Sequence, residues 1–196
     1  MERTAHSLAA ILLCSFAPLF AQDVSTPFRG GQWAAQFGWE GALGNLGVIA
    51  FTAPTRAWLL DVQLNWRHAE VDRTAPFDTT SGDDEYLNVI VRAGRRFYQA
   101  RGTKVVTYQS VGFLGGASRS DRVFPGFTSE ERSSVFGLFG DMGAAYALTP
   151  NLTIGFTGTL DAWYQKCKSD NPNGGLESAG YSVSAPSLRF VATIYF

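Results

Sequence analysis

Proton-transfer chemistry in this chain would have to start from His68, because only two histidines are present and the other, His6, lies in the N-terminal segment. Glu70, Asp72 and Ser81 follow, so an imidazole base, carboxylates and a hydroxyl nucleophile stand near one another in sequence. Their spacing does not assemble a triad, and a lone histidine at the end of an alternating segment reads as a surface residue. Cys167 is the only cysteine once residues 1–21 are set aside, which excludes an internal disulfide and a multi-cysteine metal site. No phosphate-cradling glycine loop, metal-spaced histidine cluster or paired-carboxylate motif is present. The expectation is a non-enzymatic protein with no catalytic or metal-binding residues and no cofactor.

The other ionisable residues of interest are set into segments of alternating polarity. From Trp58 to Arg67, the side chains of Trp58, Leu60, Val62, Leu64 and Trp66 share one face, and Asp61, Gln63, Asn65 and Arg67 share the other. Successive strand side chains point to opposite faces, so this is a strand with one apolar and one polar side. The same pattern recurs at Trp33–Glu40, Leu87–Gly94, Phe136–Leu148, Leu152–Ala162 and Leu188–Phe196, with Phe139 as an aromatic intruder on a polar face. The stretches 47–52 and 104–116 are apolar enough for strands, but their faces are not assignable from the pattern.

Composition agrees with strands. Of 196 residues, 45% are hydrophobic and 17% charged, which suits one well-filled domain. Sixteen Lys plus Arg nearly cancel 17 Asp plus Glu, with no basic stripe, so nucleic acid is not an expected partner. Mean hydropathy near zero beside 21 glycines and 14% aromatics means that apolar and polar residues are interleaved.

The N-terminus differs. Arg3, an apolar run over Leu8–Phe20 and the sequence Leu19-Phe20-Ala21 form a charged region, a short hydrophobic region and a cleavage site, so residues 1–21 are expected to be a signal peptide and 22–196 the mature domain. The run is shorter than the ~20 residues of a spanning helix. Leu13 before Cys14 argues against lipidation.

Beyond Ala21 no segment could span a membrane as a helix, so a membrane-spanning chain must be a closed barrel. Connections alternate in length. Residues 53–56, 99–102 and 149–151 are tight turns rich in Pro or Gly, whereas Ala69–Asp84, Ser118–Ser133 and Gln165–Gly180 are long, polar loops. With the brief Gly41–Asn45 link counted among the outer loops, the chain is expected to be all-β: an eight-stranded, antiparallel, up-and-down transmembrane barrel with both termini on the turn side. Pro186 cannot donate within a ladder and is expected at the outer rim or at a bulge.

These strands, the loop asymmetry and the final Arg189-Phe190-Val191-Ala192-Thr193-Ile194-Tyr195-Phe196 resemble the small outer-membrane barrels of the OmpA transmembrane-domain and OmpX type, over essentially the whole mature chain. The resemblance implies a Gram-negative outer membrane, with its lipids and lipopolysaccharide as surroundings. It also implies that Phe190, Ile194 and Phe196 form an assembly signal for the barrel-assembly machinery. Trp58 and Trp66 would then lie in opposite aromatic girdles: eight residues at ~3.3 Å, tilted about 40°, rise roughly 20 Å, near the ~25 Å apolar band.

An eight-stranded barrel is just wide enough to be filled by its own side chains, so no open pore is expected. Glu40, Asp61, Arg67, Arg92, Asp141, Asp161 and Arg189 are the candidates for an ionic network in the lumen, the alternative being charges at the wet rims. The expected role is structural, adhesive or in envelope integrity, through surface loops whose ligand is not identified. Two alternatives stand beside it. A lipid A-modifying enzyme would need partners for His68, and the His-x-Ser of the deacylases is missing. A soluble lipocalin-like binding barrel is suggested by Gly31-Gln32-Trp33, against which the short first connection and the terminal strand argue.

Overall fold

Period-two alternation places apolar side chains on one surface of each strand, and antiparallel pairing lines these surfaces up. The computed structural model describes residues 27–40, 43–75, 78–124, 127–171, 174–184 and 186–196. The expected signal peptide, with Cys14 and His6, lies outside them. The described strands are β1 (Trp33–Glu40), β2 (Leu43–Ala53), β3 (Arg56–Ala75), β4 (Asp78–Arg101), β5 (Val105–Phe124), β6 (Phe127–Thr149), β7 (Leu152–Asn171), β8 (Gly174–Val183) and β9 (Ser187–Tyr195).

Each strand from β1 to β7 pairs antiparallel with the next, and β9 closes the ring between β7 and β1. The ring is therefore eight strands, with β8 continuing the last wall above β9 and pairing with β7 only. Pro186 falls between β8 and β9, where no ladder bond is required of it.

Tight turns close one rim. Gly102 has φ +84°, a left-handed conformation that suits glycine in the β4–β5 turn. Register shifts at Phe51/Ala53 and Ala147/Thr149 sit beside two other turns and bend the strands into them. Both described ends lie on this rim, where the Phe196 amide donates to the Trp33 carbonyl at 2.9 Å.

At the opposite rim the structure corrects the sequence reading. The segments expected as long loops are projecting hairpins: β3 runs to Ala75 and β4 starts at Asp78, β5 and β6 meet at Phe124 and Phe127, and β7 and β8 at Asn171 and Gly174. Polar side chains on both faces hide a strand from alternation, yet main-chain ladder bonds form whatever the side chains. The β1–β2 hairpin is short, ending at Glu40↔Leu43, so the wall is low there.

The unassigned stretches now have faces. Ile49 and Phe51 point inward and Leu46 and Val48 outward, while Val106, Tyr108, Ser110 and Leu114 point inward and Val111 and Phe113 outward. Phe139 points inward against the paired glycines Gly94 and Gly112, whose missing side chains leave the room its ring occupies.

Candidate functional site: a filled lumen beneath projecting hairpins

The outer surface of the ring is apolar. Trp58, Leu60, Val62, Leu64 and Trp66 of β3 are all exposed, as are Phe136, Leu138 and Met142 of β6 and Leu188, Phe190 and Ile194 of β9. Inside, alternation delivers the polar residues. This is the reverse of a soluble barrel, which keeps its apolar face within. Trp33, the tryptophan of the lipocalin-like triplet, points outward.

The middle of the lumen is an ionic layer. Asp61 on β3 accepts from Asn45 Nδ2 at 2.9 and 2.8 Å and from Arg189 Nη1 of β9 at 3.2 Å. Arg189 also donates to Thr159 Oγ1 at 2.9 Å and lies 3.7 Å from Asp141. Arg96 of β4, only 2% exposed, donates to Ser110 at 2.8 Å and to Gln36 at 2.5 Å, and its Nη2 is 3.6 Å from Asp141. Arg92 reaches Gln63 at 3.1 Å and Asp161 at 2.6 Å. Three guanidinium groups thus face three carboxylates, and the Gln36, Gln63, Ser110 and Thr159 side chains take further guanidinium donors, which lowers the cost of burying the charge, while Arg92 Nε and Arg189 Nε stay without a hydrogen-bond partner among the described residues.

Below this layer an aromatic cluster closes the turn rim. Phe28, just before β1, inserts with ring centroids 4.7 Å from Phe51 and 4.9 Å from both Tyr98 and Tyr195. Tyr108 bridges the two layers: its ring lies 4.3 Å under the Arg96 guanidinium, and its hydroxyl is 2.5 Å from Thr157.

Of the seven charged residues singled out in the sequence, Asp61, Arg92, Asp141, Asp161 and Arg189 meet in this layer. Arg67 lies higher and exposed, paired with Asp84 at 3.2 Å, where Arg122 joins at 3.4 Å. Glu40, at the end of β1, is half-buried. Arg96 was missed because the clear alternation ends at Gly94; carried two residues further along β4 it sets Arg96 on the inward face of Arg92 and Arg95 on the outward one. Arg95 points out and stacks 4.4 Å over Trp58.

Trp58 is 55% and Trp66 65% exposed, on the same outer face, and Trp66 Nε1 donates to Glu85 at 3.3 Å. Phe190, Ile194 and Phe196 all point outward. His68 is exposed on β3 opposite Glu85, and Glu70 is also exposed; the side chains of Asp72 and Ser81 lie outside those described. Among the described residues no group of His, Cys, Asp or Glu is placed to hold a metal.

Among solved structures, the chain is similar to a major outer membrane protein from Thermus thermophilus, with a TM-score of 0.57 at 16% identity over 84% of this chain and 98% of that one. It also aligns with Neisserial surface protein A (TM-score 0.46, 15% identity, 84% and 94% covered) and with Ail, the attachment invasion locus protein of Yersinia pestis (0.40, 15%, 85% and 99%). No protein-family model and no curated protein sequence matches the chain. The first of these likenesses, with the closed ring and its apolar exterior, identifies the fold as that of a small outer-membrane β-barrel.

Proposed function

We propose that this chain is an integral protein of a Gram-negative-type outer membrane, exported by a signal peptide cleaved after Ala21, whose sealed barrel holds three long hairpins outside the cell for adhesion or envelope integrity. The observation that carries this reading is the inversion of polarity: an apolar exterior band around a lumen filled by Arg92, Arg96, Arg189 and their carboxylate partners. Exposed apolar area on this scale would be a liability in water and is stabilised by lipid. The layered lumen supports a structural role rather than a pore, and the exposed position of His68 opposite a carboxylate rather than a hydroxyl supports a non-enzymatic one.

Within this reading the tight-turn rim faces the periplasm and the hairpins face outward, as the loop asymmetry of such barrels favours. Trp58 and Trp66 serve as girdle residues at the two interfaces. Phe190, Ile194 and Phe196 present the terminal strand to the barrel-assembly machinery, and lipopolysaccharide surrounds the outer half of the wall.

Epitope accessibility on intact cells tests the placement. An epitope inserted between β5 and β6 is bound by antibody without permeabilisation, and one inserted at the Gly102 turn only after it. Equal labelling of both, or labelling of the turn alone, overturns the orientation. A steady large conductance from the pure protein in a planar bilayer overturns the seal.

A further inference from the structure

From β5 to β7 the outer wall carries a row of cations that the fold by itself does not favour. Arg119 of β5 pairs directly with Arg132 of β6, and Arg132 with Lys168 of β7, so three like charges stand opposite one another on adjacent strands. Like charges in that relation repel and cost stability. All three lie on the lipid-facing side, because each is an even number of residues from an outward aromatic: Phe113, Phe136 and Tyr164. Acids occupy the next row outward. Arg119 Nε is 2.8 Å from Asp121 and 3.1 Å from Glu130, Arg132 Nε is 2.5 Å from Glu130, and Lys168 Nζ is 3.2 Å from Asp170. These pairs are exposed and therefore weak, and they engage the Nε of both arginines, which leaves the terminal Nη donors available among the described residues.

Directly below the cations the wall is hollowed. Gly115 and Ala117 form the floor of a 540 Å³ apolar groove, bounded by Val89 and Val91 of β4 on one side and Phe136 of β6 on the other, with Phe113 at its lower end. A Cβ on Gly115 would meet nothing nearer than a carbonyl oxygen at 3.9 Å, so a larger side chain would fit there and would fill the groove. On one strand, then, Phe113, Gly115, Ala117 and Arg119 succeed one another from apolar stop through open trough to cation.

We propose that this face binds one acylated lipid bearing a phosphate monoester, the chemistry of lipid A, with an acyl chain in the Gly115–Ala117 groove and its phosphate on Arg119 and Arg132. A phosphate monoester carries about −1.5 to −2 charges near neutrality and offers three acceptor oxygens, which match two guanidinium groups held side by side. The bound anion relieves the repulsion along the cation row. The inference rests on the outward orientation proposed above.

The test uses the full chain purified from outer membranes and reconstituted in nanodiscs containing diphosphoryl lipid A, dephosphorylated lipid A or phosphatidylglycerol, with lipid retention read by native mass spectrometry. One diphosphoryl lipid A per chain is expected to be retained in preference to the other two. Arg119→Gln/Arg132→Gln lowers its retention about tenfold, the equivalent of one charge-assisted contact, and Gly115→Leu lowers it as well. Arg95→Gln, a basic residue near the opposite rim, leaves it unchanged. Equal retention of the dephosphorylated lipid overturns the proposal, as do full retention by the double variant and an equal fall in Arg95→Gln. The wild-type lipid comparison decides the matter even where a variant misfolds. Absence of the folded chain from the outer-membrane fraction contradicts the membrane reading instead.

Discussion

Asp61 and Arg189 bond at 3.2 Å from strands β3 and β9, which β1 and β2 separate around the ring, so their contact crosses the lumen rather than following the sheet. Such a contact fixes the lumen's width and ties the last strand to the first hairpins. Both side chains are almost fully buried, so removing Asp61 leaves the Arg189 charge with only the longer 3.7 Å carboxylate contact, to Asp141, among the described residues, and removing Arg189 leaves Asp61 hydrogen-bonded to the neutral Asn45 amide.

Asp61→Ala is accordingly expected to destabilise the barrel by up to about 3–5 kcal/mol, since it takes the nearer carboxylate from Arg189 and the acceptor from Asn45 Nδ2. The double variant Asp61→Leu/Arg189→Met costs less than the two single changes added, because the second substitution removes the charge that the first one deprived of its nearer partner. Urea midpoints of folding into lipid vesicles measure both; strict additivity contradicts the coupling.

Gly112 and Gly115, three residues apart on β5, should respond oppositely to a methyl group. A Cβ on Gly112 would fall 2.2 Å from the Ala93 carbonyl and 2.7 Å from the Phe139 ring, whereas on Gly115 its nearest neighbour is the Val135 carbonyl at 3.9 Å, an ordinary contact. Gly112→Ala is expected to cost about 1–3 kcal/mol by overpacking, and Gly115→Ala to stay within about 0.5 kcal/mol of wild type. The same urea titration separates them.

How much of this was legible in the sequence depends on whether a residue had a partner face to contrast with. Trp58–Arg67 was readable because lipid and lumen demand opposite side chains there, and Asp61 followed from it. Stretches 47–52 and 104–116 were not readable, because Ile49, Phe51, Val106 and Tyr108 turn apolar groups into the lumen near the aromatic base, so both faces are apolar. The upper hairpins failed for the converse reason, being polar on both faces. The cation row was invisible because Arg119, Arg132 and Lys168 lie far apart in sequence and meet only through register. Phe139 read as an intrusion until its glycine partners on other strands were known.

Trp58 and Trp66 supply a depth measurement. With all other tryptophans replaced by phenylalanine, each is expected to be quenched most strongly by lipids brominated near the headgroup, and weakly by lipids brominated at the chain end, as girdle residues are. Strong quenching of either one by chain-end bromine contradicts its interfacial placement.

Glu130 gives a pH signature at the outer rim. Its hydrogen bond from Arg132, with the charge of Arg119 nearby, holds its carboxyl below the usual carboxylate range. A folded value depressed below the unfolded one of about 4.3 means that the ion pair is present above that pH and is lost as the pH falls through the lowered value. A carboxyl-carbon NMR titration is expected to show the low midpoint in wild type and an upward move in Arg132→Gln; an unmoved midpoint contradicts the assignment of cause.

Expressing the full-length chain in a Gram-negative host and comparing boiled with unboiled outer-membrane samples by SDS electrophoresis tests the central claim most directly. A heat-modifiable band in that fraction is the predicted result, because a closed, lipid-embedded ring resists detergent until it is boiled. A soluble periplasmic band whose mobility heat does not change would contradict it.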